Sequence, residues 1–155
     1  QGPVIEPPRR RERQEKREKM REPSKELDAL AYKVIGAAME VHRQLGPGFL
    51  ESVYEEALCV ELTERGIAFE QQVEIGIDYK GRAVGKARLD LLIEKELIVE
   101  LKTIDRFAPI HKAQAISYLR ATRLDLVLLI NFKVPVLKEG LKRVILSERK
   151  PWQPY

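Results

Sequence analysis

Apolar residues recur at steps of three and four along Leu27, Leu30, Ala31, Val34, Ile35, Ala38 and Val41. That spacing predicts an amphipathic helix with one buried stripe. Ser24 stands where an N-cap belongs, and Gly46-Pro47-Gly48 stops the helix near Leu45. A second helix is predicted from about Leu50 to Arg65, its period set by Val53, Tyr54, Ala57, Leu58 and Leu62 and its end by Gly66. The period then changes to two over residues 67–79: Val73, Ile75, Ile77 and Tyr79 share one face, Gln72, Glu74 and Asp78 the other. Lys80-Gly81-Arg82 reads as a hairpin turn into a strand from about Ala83 to Ile93, and Glu94-Lys95-Glu96 turns into a third from Leu97 to Thr103. A helix follows over residues 110–123. The nearly all-apolar run Asp125 to Phe132 has the pattern of a strand buried on both faces, and residues 141–146 can add an edge strand. The helix after Thr103 can act as a crossover that brings the Leu126 strand parallel to the meander. The expected fold is α/β (α+β): a mixed sheet, three antiparallel strands plus one parallel strand, flanked by helices.

Composition narrows the class. The chain has 155 residues, 44% hydrophobic and 34% charged, enough for one core under an ionic surface. No run approaches the 18 apolar residues of a spanning helix, so no membrane role is expected. A single cysteine, Cys59, and two histidines leave little room for a His/Cys metal centre; a reducing, cytoplasmic setting is expected. Of the formal net charge of +4, residues 1–26 carry +3, from nine Lys/Arg and six Glu. Residues 1–23 are expected to be a charged, disordered arm, with Gln1-Gly2-Pro3 reading as the remnant of a cleavage linker. Residues 24–146 form the domain and 147–155 a Pro-rich tail containing Trp152. The arm is either a basic contact for nucleic acid or a solvated tail.

The candidate chemistry sits around the Lys95 turn. Glu100 and Lys102 are two apart on a strand and share a face. If the hairpin is symmetric about Lys95, Asp90, on a face with Arg88 and Leu92, stands opposite Glu100. Directly opposed like charges are destabilising. A hard divalent cation bridging them would offset the repulsion, and Mg²⁺ or Mn²⁺ suits oxygen ligands. Lys102 would then stand beside a metal-bound water or a developing charge on phosphorus. The alternative is an ordinary solvent face of an antiparallel sheet, although charges on a central strand need a reason.

Asp90 followed by Glu100-Leu101-Lys102, between one helix and the next helix and strand, resembles the PD-(D/E)xK nuclease superfamily. Gly48-Phe49-Leu50-Glu51-Ser52-Val53-Tyr54 resembles the GxxExxY signature of a small bacterial and archaeal family within it. The resemblance runs from about Leu27 to Leu146. Leu89 stands where that superfamily usually has Pro. The resemblance implies that Asp90 and Glu100, with the Leu101 carbonyl, bind metal, that Lys102 lies beside the attacking water, and that Glu51 is an added acid from an early helix. It also implies that Gln114 and Tyr118, one turn apart, contact phosphate or order the site.

Each residue has a plainer reading. Glu51 lies in the first turn of its helix and can cap it. Tyr54 can be core with a bonded hydroxyl. Gln114 and Tyr118 can simply pack the crossover helix, and Gly48 serves the turn. His42 suits the last turn of its helix, His111 is either a surface residue or a phosphate contact, and Cys59 is a small core residue. The expected function is a metal-dependent nuclease hydrolysing phosphodiester bonds, with DNA as the expected substrate and a homodimer left open. The alternatives are a catalytically silent module that binds nucleic acid or a partner on the same fold, and an interaction protein docking through its Trp152 tail.

Overall fold

The computed structural model describes Arg9 and residues 22–146. The expectations for the N-terminal arm, apart from Arg9, Glu22 and Pro23, and for the 147–155 tail lie outside the described residues. The elements are α1 (Lys25–Leu45), α2 (Glu51–Glu64), β1 (Phe69–Tyr79), β2 (Arg82–Ile93), β3 (Leu97–Lys102), α3 (Pro109–Thr122), β4 (Leu126–Asn131), a 3₁₀ turn (Leu137–Gly140) and β5 (Leu141–Ile145). They form one five-stranded sheet in the order β1-β2-β3-β4-β5. All neighbouring pairs are antiparallel except β3 and β4, the pair linked through α3. This is the mixed α/β architecture the periodicities predict.

Local chemistry sets the boundaries. Ser24 Oγ accepts from the Leu27 amide at 3.1 Å and caps α1. After α2, Gly66 takes φ 71°, donates to the Thr63 carbonyl, and Ile67 donates to Leu62. That is a Schellman closure, with Leu62 and Ile67 both buried at the joint. Ile67 is therefore spent on the helix end, and the strand begins two residues later than the period-two pattern implies. The β1–β2 hairpin turns on Lys80 and Gly81, both at positive φ, the two-residue turn whose twist matches the strands.

The sheet separates two cores. On one face α1 and α2 bury Val34, Ala38, Tyr54, Leu58 and Leu62 against Leu91, Val99, Leu101, Leu128 and Ile130. On the other, Ala115 and Leu119 of α3 pack on Leu89, Ile98, Val127, Leu129 and Val144. Every residue of β4 is buried, as its apolar run predicts. Two expected core positions are exposed. Val53 lies on the outer side of α2. Tyr79 keeps the face of Ile77 in sequence, but a bulge between Ile77 and Asp78 shifts the register, and the ring, 62% exposed, lies at the hairpin tip beyond the packed sheet.

Candidate active site

The β2–β3 ladder pairs Ile93 with Leu97, Leu92 with Ile98 and Leu91 with Val99, the symmetric register about Lys95. It stops there, where Asp90 and Glu100 would pair next. Each carboxylate instead bonds the other strand's backbone: the Asp90 amide donates to Glu100 Oε1 at 3.1 Å, and the Leu101 amide donates to Asp90 Oδ2 at 2.8 Å. The side chains thus satisfy amides that the ladder has released.

The alternation along β2 also breaks at this point. Leu89 packs on the α3 side and Leu91 on the α1 side, although residues two apart should share a face. Gln72, on the adjoining stretch of β1, takes φ 50°. Asp90 therefore does not keep the face of Leu92, as the period-two pattern predicts. It sits at a kink and is aimed across the splayed strands, which is why its carboxylate reaches the Leu101 amide.

Glu100 is 4% exposed. Burial, then the charge of Asp90, push its carboxyl up to about 9, with Lys102 pulling the other way. Glu51, at the start of α2, is half-buried and bonds no amide of its own helix cap. Its carboxyl is raised by burial and then by Asp90, and lowered by Lys102. A glutamate in the first turn of a helix is ordinarily favoured as an anion; its upward shift reflects burial first and the nearby Asp90 second. Tyr118 of α3 is raised by burial and by Glu100 and Asp90. Glu51, Asp90, Glu100, Lys102 and Tyr118 thus feel one another at the carboxyl end of β3, where α2 comes from one face of the sheet and α3 from the other. Gln114 is exposed one turn before Tyr118.

Tyr54 does not join them. It is fully buried, its hydroxyl donates to the Gly46 carbonyl at 2.6 Å and accepts from the Phe49 amide at 3.1 Å. It ties the Gly46–Gly48 turn to α2 and so fixes where Glu51 begins. His42 Nε2 meets the Val134 carbonyl at 2.8 Å, and His111 Nδ1 accepts from the Ala108 amide at the start of α3, so both histidines have structural partners. Cys59 is buried and its thiol is pushed up to about 12.

Sequence reasoning missed two supporting residues. Asn131, 1% exposed, accepts from the Ile104 and Lys133 amides and donates to the Ile104 carbonyl. With the Phe132 amide on the Lys102 carbonyl, it fixes the chain just after Lys102. Its signal was one amide ending an otherwise apolar strand. Gly140 is the other: a Cβ there would meet the Asn131 carbonyl oxygen at 2.1 Å.

Among the described residues, no group of three or more His, Cys, Asp or Glu side chains converges as a ready metal cage. The donor set still fits a hard divalent cation. Such an ion needs only one or two carboxylates besides water and phosphate, and each of Asp90 and Glu100 spends one oxygen on an amide and has a second to offer. Their repulsion, expressed in the shift of Glu100, is what a cation would relieve.

No curated protein matches the sequence closely enough to count as a relative. A solved structure, described as the crystal structure of SSO0001, is 22% identical, with a TM-score of 0.46 over 64% of this chain; the match spans 50% of that one. No helix among the described residues is long and apolar enough to cross a membrane. The family model for the PD-(D/E)XK nuclease superfamily matches residues 28–144, a span that contains all five elements of the acidic site and most of the chain. On that match, the chain belongs to the PD-(D/E)XK nuclease superfamily.

Proposed function

We propose that the chain is a metal-dependent nuclease that hydrolyses phosphodiester bonds, with DNA as its substrate and residues 24–146 as its catalytic domain. The observation that carries this reading is the reciprocal hold of Asp90 and Glu100 on each other's strand, with Lys102 and Glu51 in electrostatic reach. Asp90 and Glu100, with the Leu101 carbonyl and Glu51, would hold Mg²⁺ or Mn²⁺. Bound there, the ion supplies a water of lowered pKa and neutralises charge on the phosphoryl oxygens. The chain's own part is positional. Lys102 presents a cation to the same space and orients the attacking water or screens the phosphate. Tyr118 and Gln114 line the α3 side, where a hydroxyl and an amide can bond phosphate oxygens. The GxxExxY reading fits as well: the tyrosine anchors the turn and the glutamate faces the carboxylates.

The test is cleavage of DNA and RNA by purified protein with Mg²⁺ or Mn²⁺. Asp90→Ala and Lys102→Ala should each abolish it while the protein stays folded; activity that survives both would overturn the assignment. One observation favours a silent binding module instead, namely that among the described residues no three His, Cys, Asp or Glu side chains converge. Calorimetry separates the two: a Mn²⁺ site lost in Asp90→Asn supports the enzyme, and nucleic-acid binding without any Mn²⁺ site supports the module.

A further inference from the structure

The β1–β2 hairpin is longer than the sheet needs. β3 pairs β2 only over Leu91–Ile93, so among the described residues no strand meets the outer edge of β2 from Asp90 back to Arg82. β1 is the edge strand of the sheet, so among the described residues no strand pairs its other side either. Residues 78–86 are all exposed, Val84 at 61%. A two-stranded ribbon left alone in water is marginal, and open edges invite unwanted pairing. An arm of this kind calls for a partner.

Charge identifies the partner. Residues 22–146 hold 18 Lys/Arg and 19 Asp/Glu, near neutrality. The distal hairpin, residues 74–88, holds Lys80, Arg82, Lys86 and Arg88 against Glu74 and Asp78, a net of +2, leaving 14 bases and 17 acids elsewhere, a net of −3. The cations are also placed to continue from the acidic site. Val73 and Ile75 pack on the α3 side and pair with Leu89 and Ala87, so Lys86 and Arg88 take the opposite face, the one covered by α2 with Glu51. Arg88 is two residues from Asp90, roughly 7 Å along the strand, about one phosphate-to-phosphate step. Arg82 pairs with Tyr79 beyond the bulge and so takes the other face; it lies at the ribbon's tip, eight residues out, roughly 27 Å, most of a turn of duplex. The arm carries one exposed ion pair, Lys86 to Glu74 at 3.0 Å, of a kind weak enough to be exchanged for a phosphate.

We infer that this hairpin is a nucleic-acid-binding arm that lies along the backbone of a duplex, a two-stranded ribbon being narrow enough for the major groove, and delivers the strand to Asp90. The inference rests on the nuclease reading for its substrate, yet it is tested without cleavage.

Binding of a fluorescent 20-bp DNA duplex to the full chain in EDTA, measured by anisotropy over a range of NaCl, is compared for wild type, Lys80→Gln/Arg82→Gln/Lys86→Gln, and a control, Lys25→Gln/Lys33→Gln/Lys138→Gln, that removes the same charge elsewhere. Three lost phosphate contacts should shrink the slope of log affinity against log salt by about 2.7 in the arm variant. The fall in affinity from 50 to 200 mM salt then becomes about fortyfold shallower, while the control keeps the wild-type slope. An unchanged slope in the arm variant, or equal drops in arm and control, would overturn the arm. So would a wild-type dimer in sedimentation that the arm variant dissociates without a change in slope, since the open edge would then serve a second copy. The two proposals fail separately: a wild type that binds through the arm but never cuts sinks the nuclease, and one that cuts with an unchanged arm slope sinks the arm.

Discussion

Glu100→Gln should make the metal-free protein more stable at neutral and alkaline pH. Glu100 is buried beside Asp90, and its carboxyl is raised from 4.5 to about 9. The folded state therefore keeps a proton that the unfolded chain gives up. For such a group, stability is fully present below the ordinary carboxylate range and is lost as pH rises from about 4.5 toward about 9. Near pH 7 the gap travelled is about 2.5 pKa units at about 1.4 kcal/mol each, a penalty on the order of 3 kcal/mol. Glutamine removes it. Its carbonyl oxygen can still accept from the Asp90 amide, and its NH₂ faces the Asp90 carboxylate. In a domain of this size the gain corresponds to roughly 10 °C in Tm. The assay is thermal unfolding in EDTA from about pH 4, where variant and wild type should coincide, to about pH 9, where they should lie furthest apart. Mn²⁺ should then raise the wild-type Tm and leave the variant's nearly unmoved. Parallel curves across the whole range in EDTA would show that no buried, shifted carboxyl exists at position 100 and would refute the electrostatic account of the site.

Glu51→Gln should weaken Mn²⁺ binding about tenfold in calorimetry and leave the urea midpoint within about 0.5 kcal/mol of wild type, since the side chain makes no capping bond. Tyr54→Phe leaves the Gly46 carbonyl without its donor and should cost about 1–3 kcal/mol in urea unfolding. Gly140→Ala should cost at least about 2 kcal/mol, because its Cβ meets backbone that cannot swing aside. Cys59 should resist thiol reagents in the native protein near pH 8 and react only on unfolding.

The elements were legible where a period ran unbroken. The α1 stripe, the Ser24 cap, the all-apolar β4 and the symmetric turn at Lys95 each follow from local rules, and the parallel β3–β4 pairing follows from the helix between them. The kink at Asp90 was not legible. Sequence spacing puts Asp90 on the face of Leu92, and only the joint irregularity of β1 and β2, with Leu89 and Leu91 on opposite faces, turns its carboxylate across the strands. The Gly48–Tyr54 motif drew attention to Glu51, but that its carboxyl feels Asp90 and Lys102 depends on how α2 docks. Tyr54 had two readings from sequence, and its buried hydroxyl bonds decide for structure. Asn131 went unnoticed because one amide at a strand end carries no periodicity.

Tyr54 stacks on Phe132 with ring centroids 4.5 Å apart and planes 7° from parallel. One ring belongs to the segment that sets Glu51, the other follows Asn131 and is bonded through its amide to Lys102. The placement of two candidate site residues drawn from distant stretches of chain is thereby tied to aromatic packing in the interior. On the proposed nuclease reading, substitutions that loosen this packing without melting the protein should slow cleavage well before they lower the melting point, so tolerance to core variation is linked to the alignment of the candidate site through these rings.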